Sequence, residues 1–402
     1  MTVDAEEAFL RGTLERGEPQ HVSNTVPIDP TQPVIHVAIE LSHKSWVIAA
    51  HLPTADKISR FTVATGDTRE LLALIGRLVD RVAQKLGRRP SVVSCFEAGF
   101  DGFWLHRLLR RRGIHNLVLD AASIVVSRRS RRPKTDRLDA EAMVRVLLAY
   151  GRGETQVCSV VQVPTPAQED ARRPHRERER LVRERIQHVN RVQGLLATQG
   201  VRGFRPMRRD WPQQLDQLRT GDGAPLPPHL VAEVRRECRR LALVLEMLAE
   251  VEAVRDEACA AAAADDPTIH ALLRLRGIGP NLAVVLAREV FYRDFPNRRA
   301  LAGFVGLAPS PYDSGAKRGD QGISKAGNTR ARALLVEMAW LWLRYQPASA
   351  LAAWFRERVG AVKGRVRRIA IVAVARKLLV SLWRYLHTGD LPPGAELKAA
   401  AA

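Results

Sequence analysis

Three features of the 402-residue sequence predict an α/β amino-terminal domain, a helical middle and a mostly α carboxy-terminal domain. Between 34 and 119, short runs of β-branched and aliphatic residues alternate with longer stretches of helical periodicity. From about 169 the chain becomes long, polar and helical. In the last third, helical segments are set apart by glycine-rich turns. These changes place an irregular leader at 1–32, the α/β domain at 33–160, a coiled-coil or helical hairpin at 161–262, a carboxy-terminal domain at 263–390 and a disordered-looking tail at 391–402.

The stretch "VIHVAIELSHKSWVIAAHL" reads as a strand, a turn at Ser42–Lys44 and a second strand, with "ISRFTVAT" a third. "TRELLALIGRLVDRVAQKL" carries its apolar residues at helical spacing. "SVVSCFEAG" is a buried-type strand ending in Glu97, "FDGFWLHRLLRRRG" a helix closed by Gly113, and "HNLVLDA" another strand. In the middle, Val182, Ile186, Val189 and Leu196 form the expected stripe of one helix, which Pro174 starts or kinks. After the loop "RTGDGAPLPPH", Val231, Val234, Cys238, Leu241, Leu245 and Leu248 alternate three and four apart. That is the seam of an antiparallel coiled-coil hairpin, which could also pair chains, or of one helix pair in an ordinary bundle. "LLRLRGIGPNLAVVLAREV" is helix, tight turn and helix. A small-residue loop region from 309 onward leads into another helix, and two basic helices follow.

The formal net charge is +20. Because the arginines cluster, at Arg110–Arg112 and Arg128–Arg132, a polyanionic partner explains the charge better than an arginine-rich proteome does. Cys95, Cys158, Cys238 and Cys259 lie far apart without zinc-ligand spacing, which fits a reducing compartment. The start "MTVDAEEAFLRG" lacks an apolar signal core, and the apolar run Ile369–Ala375 is too short to span a bilayer. The expectation is a cytoplasmic, nucleoid-associated protein with no membrane partner.

Four carboxylates stand out. Glu40 and Glu97 end strands, while Asp136 and Asp139 sit three apart at a helix start and share a side of it. Converging, they would repel one another unless hard Mg²⁺, one ion or two, took their oxygens and clamped a phosphodiester. Taken singly, they are helix-start acids and solvated strand ends. The adjoining basic run holds Arg128, Arg129, Arg131, Arg132 and Lys134, placed to hold phosphates beside such a site. In "RGIGP", Gly277 and Gly279 open a helix in a helix-hairpin-helix pattern whose backbone N–H groups can grip a phosphate, or else form a plain interhelical turn. "PSPYDSG" offers the hydroxyls of Tyr312 and Ser314 with Lys317, Arg318, Lys325 and Arg330 following; a serine there could attack phosphorus, though "SG" also makes ordinary turns.

Taken in order, "HVAIELSHKSWVIA", "CFEAGFDGFWLHRLL", "KTDRLDAEAM", "LLRLRGIGP" and "LAGFVGLAPSPYDSGAKRGDQGISKAGNTRARALL" resemble the DEDD transposases of the IS one-ten group of insertion sequences, bridge-RNA-guided recombinases. The resemblance runs from about Val34 to Leu386. It implies a ribonuclease-H-like (Holliday-resolvase type) domain at 33–160, a coiled coil, and a transposase domain containing the helix-hairpin-helix. It also implies that Glu40, Glu97, Asp136 and Asp139 are catalytic ligands of Mg²⁺; the first is usually aspartate in that family, and glutamate reaches one methylene further. Ser314 becomes the nucleophile of a covalent phosphoserine link to DNA. The carboxylates and the serine would meet across protomers of a homodimer or homotetramer, with a non-coding bridge RNA pairing to target and donor DNA. Two other functions use parts of the same pattern: a metal-dependent junction nuclease with no covalent intermediate, and a non-catalytic nucleic-acid-binding protein.

Overall fold

The computed structural model describes residues 32–124, 136–314, 317–360, 362 and 364–399, and their side chains except at 122, 136, 137 and 311–321. The chain divides at Val163 and Pro164 into two compact units.

The first unit is built on one sheet with the order β3-β2-β1-β4-β5. β1 (Val34–Glu40), β2 (Ser45–His51) and β3 (Ser59–Ala64) form an antiparallel meander, and β4 (Ser91–Glu97) and β5 (His115–Leu119) run parallel to β1. The strand residues alternate between two apolar faces. Ile35, Val37, Ile39, Trp46, Ile48 and Phe96 pack beneath α1 (Thr68–Leu86) and α2 (Trp104–Arg111). Ala38, Ala49, Val93, Cys95 and Leu117 face Ala140, Met143, Val144 and Leu147 of α3 (Asp136–Gly151). Burial on both sides explains why β1, β2 and β4 read as near-continuous apolar runs. The Asp67 carboxylate caps α1 by accepting from Glu70 N at 2.9 Å, and Gly87 closes the helix in the left-handed conformation at φ 67°.

The second unit begins with α4 (Pro166–Asp170), opened by a capping box of Thr165 and Gln168. α5 (Arg173–Ala197) carries Pro174 in its first turn, so the proline starts the helix and leaves its interior unbroken. After α6 (Trp211–Gln217), the 38-residue α7 (Pro228–Asp265) runs back along α5. The bonds Arg178 to Glu252, His188 to Glu237 and Arg191 to Glu233 step in opposite directions along the two helices, so the pair is antiparallel.

The seam differs from its expected residues. On α7, Val244 is buried in place of Leu245, alongside Val234, Cys238, Leu241 and Leu248. On α5, the buried apolar residues are Leu181, Val192 and Leu196, and Ile186 is exposed. The reason is polar. Glu237 is buried mid-seam and bonded by His188 Nδ1 at 2.7 Å and Arg240 Nη1 at 2.8 Å, so that turn of the seam is filled by a buried carboxylate and its hydrogen-bond partners.

α8 (Pro267–Arg274), α9 (Pro280–Glu289), α10 (Arg298–Phe304), α11 (Thr329–Tyr345), α12 (Ala350–Val359) and α13 (Arg365–Thr388) enclose the largest core. Leu272, Leu286, Leu335, Met338, Trp342, Val374, Leu378 and Leu382 are its centre. Two expectations are corrected here. The small-residue region after 308 is not a loop: β6 (Pro309–Ser314) and β7 (Lys317–Ile323) form a two-stranded antiparallel ribbon with a register shift near Pro309 and Pro311. The tail is not loose through Ala399: Leu397 bridges Leu275, Lys398 N donates to Arg274 O at 2.8 Å, and the Arg276 guanidinium pairs with Glu396. Among the described residues, no helix is long and apolar enough to cross a membrane.

Candidate active site

β1 and β4 are parallel neighbours, with Ala38 opposite Cys95. Two residues beyond this last pair of the ladder, Glu40 and Glu97 end the two strands. Strand alternation puts both on the face of Ala38 and Cys95, the face that α3 covers. α3 runs against the direction of these strands. Its Gly151 end lies by His36 near the start of β1, and Cys95 Sγ meets Met143 O at 3.9 Å. Asp139 lies one turn, about 6 Å, before Met143, and Glu97 lies about 6.6 Å beyond Cys95. The start of α3, with Asp136 and Asp139, is therefore directed to the sheet end that holds Glu40 and Glu97.

Glu40 and Glu97 line one cavity of about 140 Å³, whose wall is otherwise the 41–43 and 98–101 turns. Sequence reasoning missed three of its residues. His43 and Phe100 meet edge to face at 5.6 Å, with Phe100 91% exposed, and Asp101 brings a further carboxylate. The signal was present in "FEAGFDG", where an aromatic and an acid follow Glu97 three and four residues on. The carboxylates gathered here, Glu40, Glu97 and Asp101, offer oxygen donors of the kind a hard divalent cation takes, with His43 beside them. Among the described residues, no three acidic, histidine or cysteine side chains form a metal-binding group. The Asp136 side chain, and all of Arg128, Arg129, Arg131, Arg132 and Lys134, lie outside the described residues.

In the second unit, Ser314 ends β6 and is paired with Lys317 at the start of β7, at the far end of the ribbon. The side chains of Tyr312, Ser314, Lys317 and Arg318 are outside the description. The ribbon's base is tightly fixed. Gly306 precedes it and Gly327 follows it, at φ 69° and 86°. A Cβ on Gly306 would lie 2.0 Å from Ala326 O, and one on Gly327 2.2 Å from Phe304 O. Only glycine permits this backbone approach. Arg332 Nη1 donates to both Val305 O and Lys325 O across the same base. Lys325 is exposed, with φ 58°.

Arg330 is not an open cation. It pairs with Glu179, and its Nη1 lies 3.8 Å from Glu289. Glu289 is buried at the end of α9, where Arg176 grips it through Nε at 2.9 Å and Nη2 at 3.1 Å. Asn328 Nδ2 donates to Glu289 Oε2 at 3.2 Å, while Asn328 Oδ1 caps α11 by accepting from Ala331 N. Burial alone would raise the Glu289 carboxyl, but the bond and charge of Arg176, the charge of Arg172 and the Asn328 bond hold it below the ordinary range. Burial beside the Arg288 guanidinium lowers His175, in the same region, to about 4. This cluster joins α5, α9 and the first turn of α11.

In the α8–α9 turn, Gly277 takes φ 88° and packs on Tyr345, and Gly279 is the N-cap of α9. The turn is held from outside: Arg276 N donates to Glu396 O, Gln346 Nε2 to Arg276 O, and Lys398 Nζ to Ile278 O.

Residues 269–353, which run from α8 across the ribbon into α12, match the model of the "Transposase IS116/IS110/IS902 family". The y4rJ protein of Sinorhizobium fredii, provisionally named a transposase, is 48% identical over 374 residues, covering 90% of this chain and 94% of its own. The transposase for insertion sequence element IS1328 of Yersinia enterocolitica is 29% identical over 62% of this chain and 71% of its own. That for IS1111A of Coxiella burnetii is 28% identical over 63% and 66%. With a relative that similar along nearly the whole length and the family's own match centred on the ribbon, the chain belongs to the IS116/IS110/IS902 family of insertion-sequence transposases.

Proposed function

We propose that this transposase cuts and rejoins DNA through a carboxylate site at Glu40, Glu97, Asp136 and Asp139 and a serine nucleophile, Ser314, guided by a non-coding bridge RNA. The observation that carries the reading is the meeting of Glu40 and Glu97 at the ends of adjacent parallel strands, on the face reached by the start of α3. The strand order, with an antiparallel meander followed by two parallel strands, supports a ribonuclease-H-like domain. Glu40, Glu97, Asp136 and Asp139 would hold Mg²⁺, one ion or two, which when bound stabilises the charge that builds on the scissile phosphate.

The remaining chemistry belongs to the chain. The Ser314 hydroxyl attacks phosphorus, forming an Oγ–P bond. The P–O bond to the leaving strand breaks, and that strand departs as a hydroxyl carrying the proton. Rejoining is the reverse, with the hydroxyl of the new strand as nucleophile, so no bond energy is lost. Lys317 and Arg318 follow Ser314 directly in sequence, where cations favour the developing phosphoryl charge. Gly277 and Gly279 supply backbone contacts to phosphate, and Arg128, Arg129, Arg131, Arg132, Lys134 and Lys325 position the strands. Ser314 and the carboxylates belong to different units, and they act together in a homodimer or homotetramer.

Trapping on labelled donor DNA, followed by peptide mapping, tests the assignment. An adduct on Ser314 that Ser314→Ala abolishes and Tyr312→Phe retains is the expected result. An adduct on Tyr312, or normal recombination by Ser314→Ala, overturns the nucleophile. Cleavage without any adduct makes the protein a hydrolytic junction nuclease.

A further inference from the structure

The two closing helices are cationic without a reason in the fold. From 356 to 384 the sequence has nine arginines and lysines against one carboxylate, Glu357. Among the described residues, Arg365, Arg367, Arg368 and Lys377 have no carboxylate partner. Three of these arginines sit in the first turn of α13, where no acid is present and where the helix dipole disfavours positive charge. Such crowding costs stability and is relieved by a polyanion.

Aromatic rings are set into this surface. Trp340 of α11 is 37% exposed, and the Arg367 guanidinium lies 4.9 Å from its ring centre. Phe355 of α12 meets Trp340 edge to face at 5.9 Å, which fixes the indole plane. Lys377 Nζ lies 4.8 Å from the ring of the neighbouring Trp354. Trp340, Gly364, Arg367 and Arg368 line an open cavity of about 380 Å³. Gly364, at φ 80°, contributes no side chain to it. Apolar Val366 and Ile369, 43% and 59% exposed, continue the surface along α13.

Arginine and an indole around a shallow cavity, on a cationic surface with interleaved apolar residues, is the chemistry that holds unpaired bases: the rings stack and the cations follow the phosphates. A duplex hides its base faces and uses only the cations. We propose that the Trp340–Arg367 surface of α11 and α13 holds a single-stranded DNA segment, with a base stacked at Trp340 and its flanking phosphates on Arg367 and Arg368. DNA is the occupant because cutting and rejoining strands leaves unpaired DNA to be held. The inference depends on neither Ser314 nor the carboxylates, and its test needs no catalysis.

The experiment measures binding of the full chain to labelled oligo-dT, to the same sequence as a dT·dA duplex and to oligo-U RNA, by fluorescence anisotropy across a salt series. Trp340→Leu keeps the packing against Phe355 and removes the stacking face. It weakens oligo-dT binding by about tenfold or more and leaves duplex binding within about twofold. Trp340→Phe restores most of the affinity. Arg367→Gln with Arg368→Gln, two cations, lowers the single-strand salt slope by about 1.4. Circular dichroism reports folding of each variant, and the arginine pair, exposed at the surface, gives a second reading if Trp340→Leu unfolds. Unchanged oligo-dT affinity in folded Trp340→Leu overturns the proposal, as does an equal loss on duplex and single strand, or an unchanged salt slope in the arginine pair. A Trp340 dependence confined to oligo-U overturns the choice of DNA.

Discussion

Replacing Glu289 by glutamine tests the packing that supports the ribbon. The side chain is 4% exposed and receives two charge-assisted bonds from Arg176 and one bond from Asn328. Breaking a buried pair by removing one partner costs about 3–5 kcal/mol. Arg176 is 45% exposed, so water recovers part of its lost bonding, and the expected cost sits at the lower end, about 3 kcal/mol. For a unit of this size that corresponds to a fall in Tm of about 6–12 °C in calorimetry. The pH dependence gives an independent sign. The folded carboxyl is held below its ordinary value, so its contribution is complete above the unfolded pKa of about 4.5 and is lost as pH falls through the folded value. The gap between wild type and Glu289→Gln is therefore full at neutral pH and closes below about 4.5. A gap that persists at low pH, or a variant as stable as wild type at pH 7, would refute the assignment of this ion pair as a stabilising joint.

If roughly ten phosphates are contacted, DNA affinity falls by about 10⁵ between about 50 and 200 mM salt, and a flat response denies extensive backbone contact. Ser314→Ala binds DNA and RNA as wild type does but forms no covalent adduct in a trapping gel; a normal adduct yield counts against Ser314. Gly327→Ala places a methyl about 2.2 Å from Phe304 O at φ 86°, so this exposed-surface substitution lowers Tm as severely as a core cavity does, by several degrees or more. A Tm unchanged within a degree would show that the ribbon base can open by about an ångström.

The strand ends at Glu40 and Glu97 were legible because a buried apolar run that stops at a charge marks where the chain reaches water. The start of α3 was legible from its acids, which favour a helix N-terminus. The ribbon was hidden. Pro309, Pro311, Gly319 and Gly322 are poor strand formers, and it is the glycine approaches at Gly306 and Gly327, together with main-chain pairing, that hold these residues extended. The seam misled at Ile186 and Leu245 because a heptad count ranks residues by hydrophobicity, whereas Glu237 and His188 fill the space by pairing. The packed tail was invisible for a similar reason: Glu396, Leu397 and Lys398 are held by backbone bonds to the distant Arg274–Ile278 turn, which no local pattern announces. Likewise, Arg330 was taken for a nucleic-acid contact from its charge, and its partner Glu179 lies 151 residues away.

The most direct test of the central claim is Mg²⁺-dependent cleavage of donor DNA by purified wild type and by Glu97→Gln. Glu97 is exposed at its strand end, so the amide leaves the sheet intact and alters only the charge offered to a cation. Wild-type cleavage that rises with Mg²⁺ and vanishes in Glu97→Gln at every Mg²⁺ concentration, with melting and DNA binding unchanged, is the predicted result. Cleavage by folded Glu97→Gln at the wild-type rate would contradict a carboxylate site at the ends of β1 and β4.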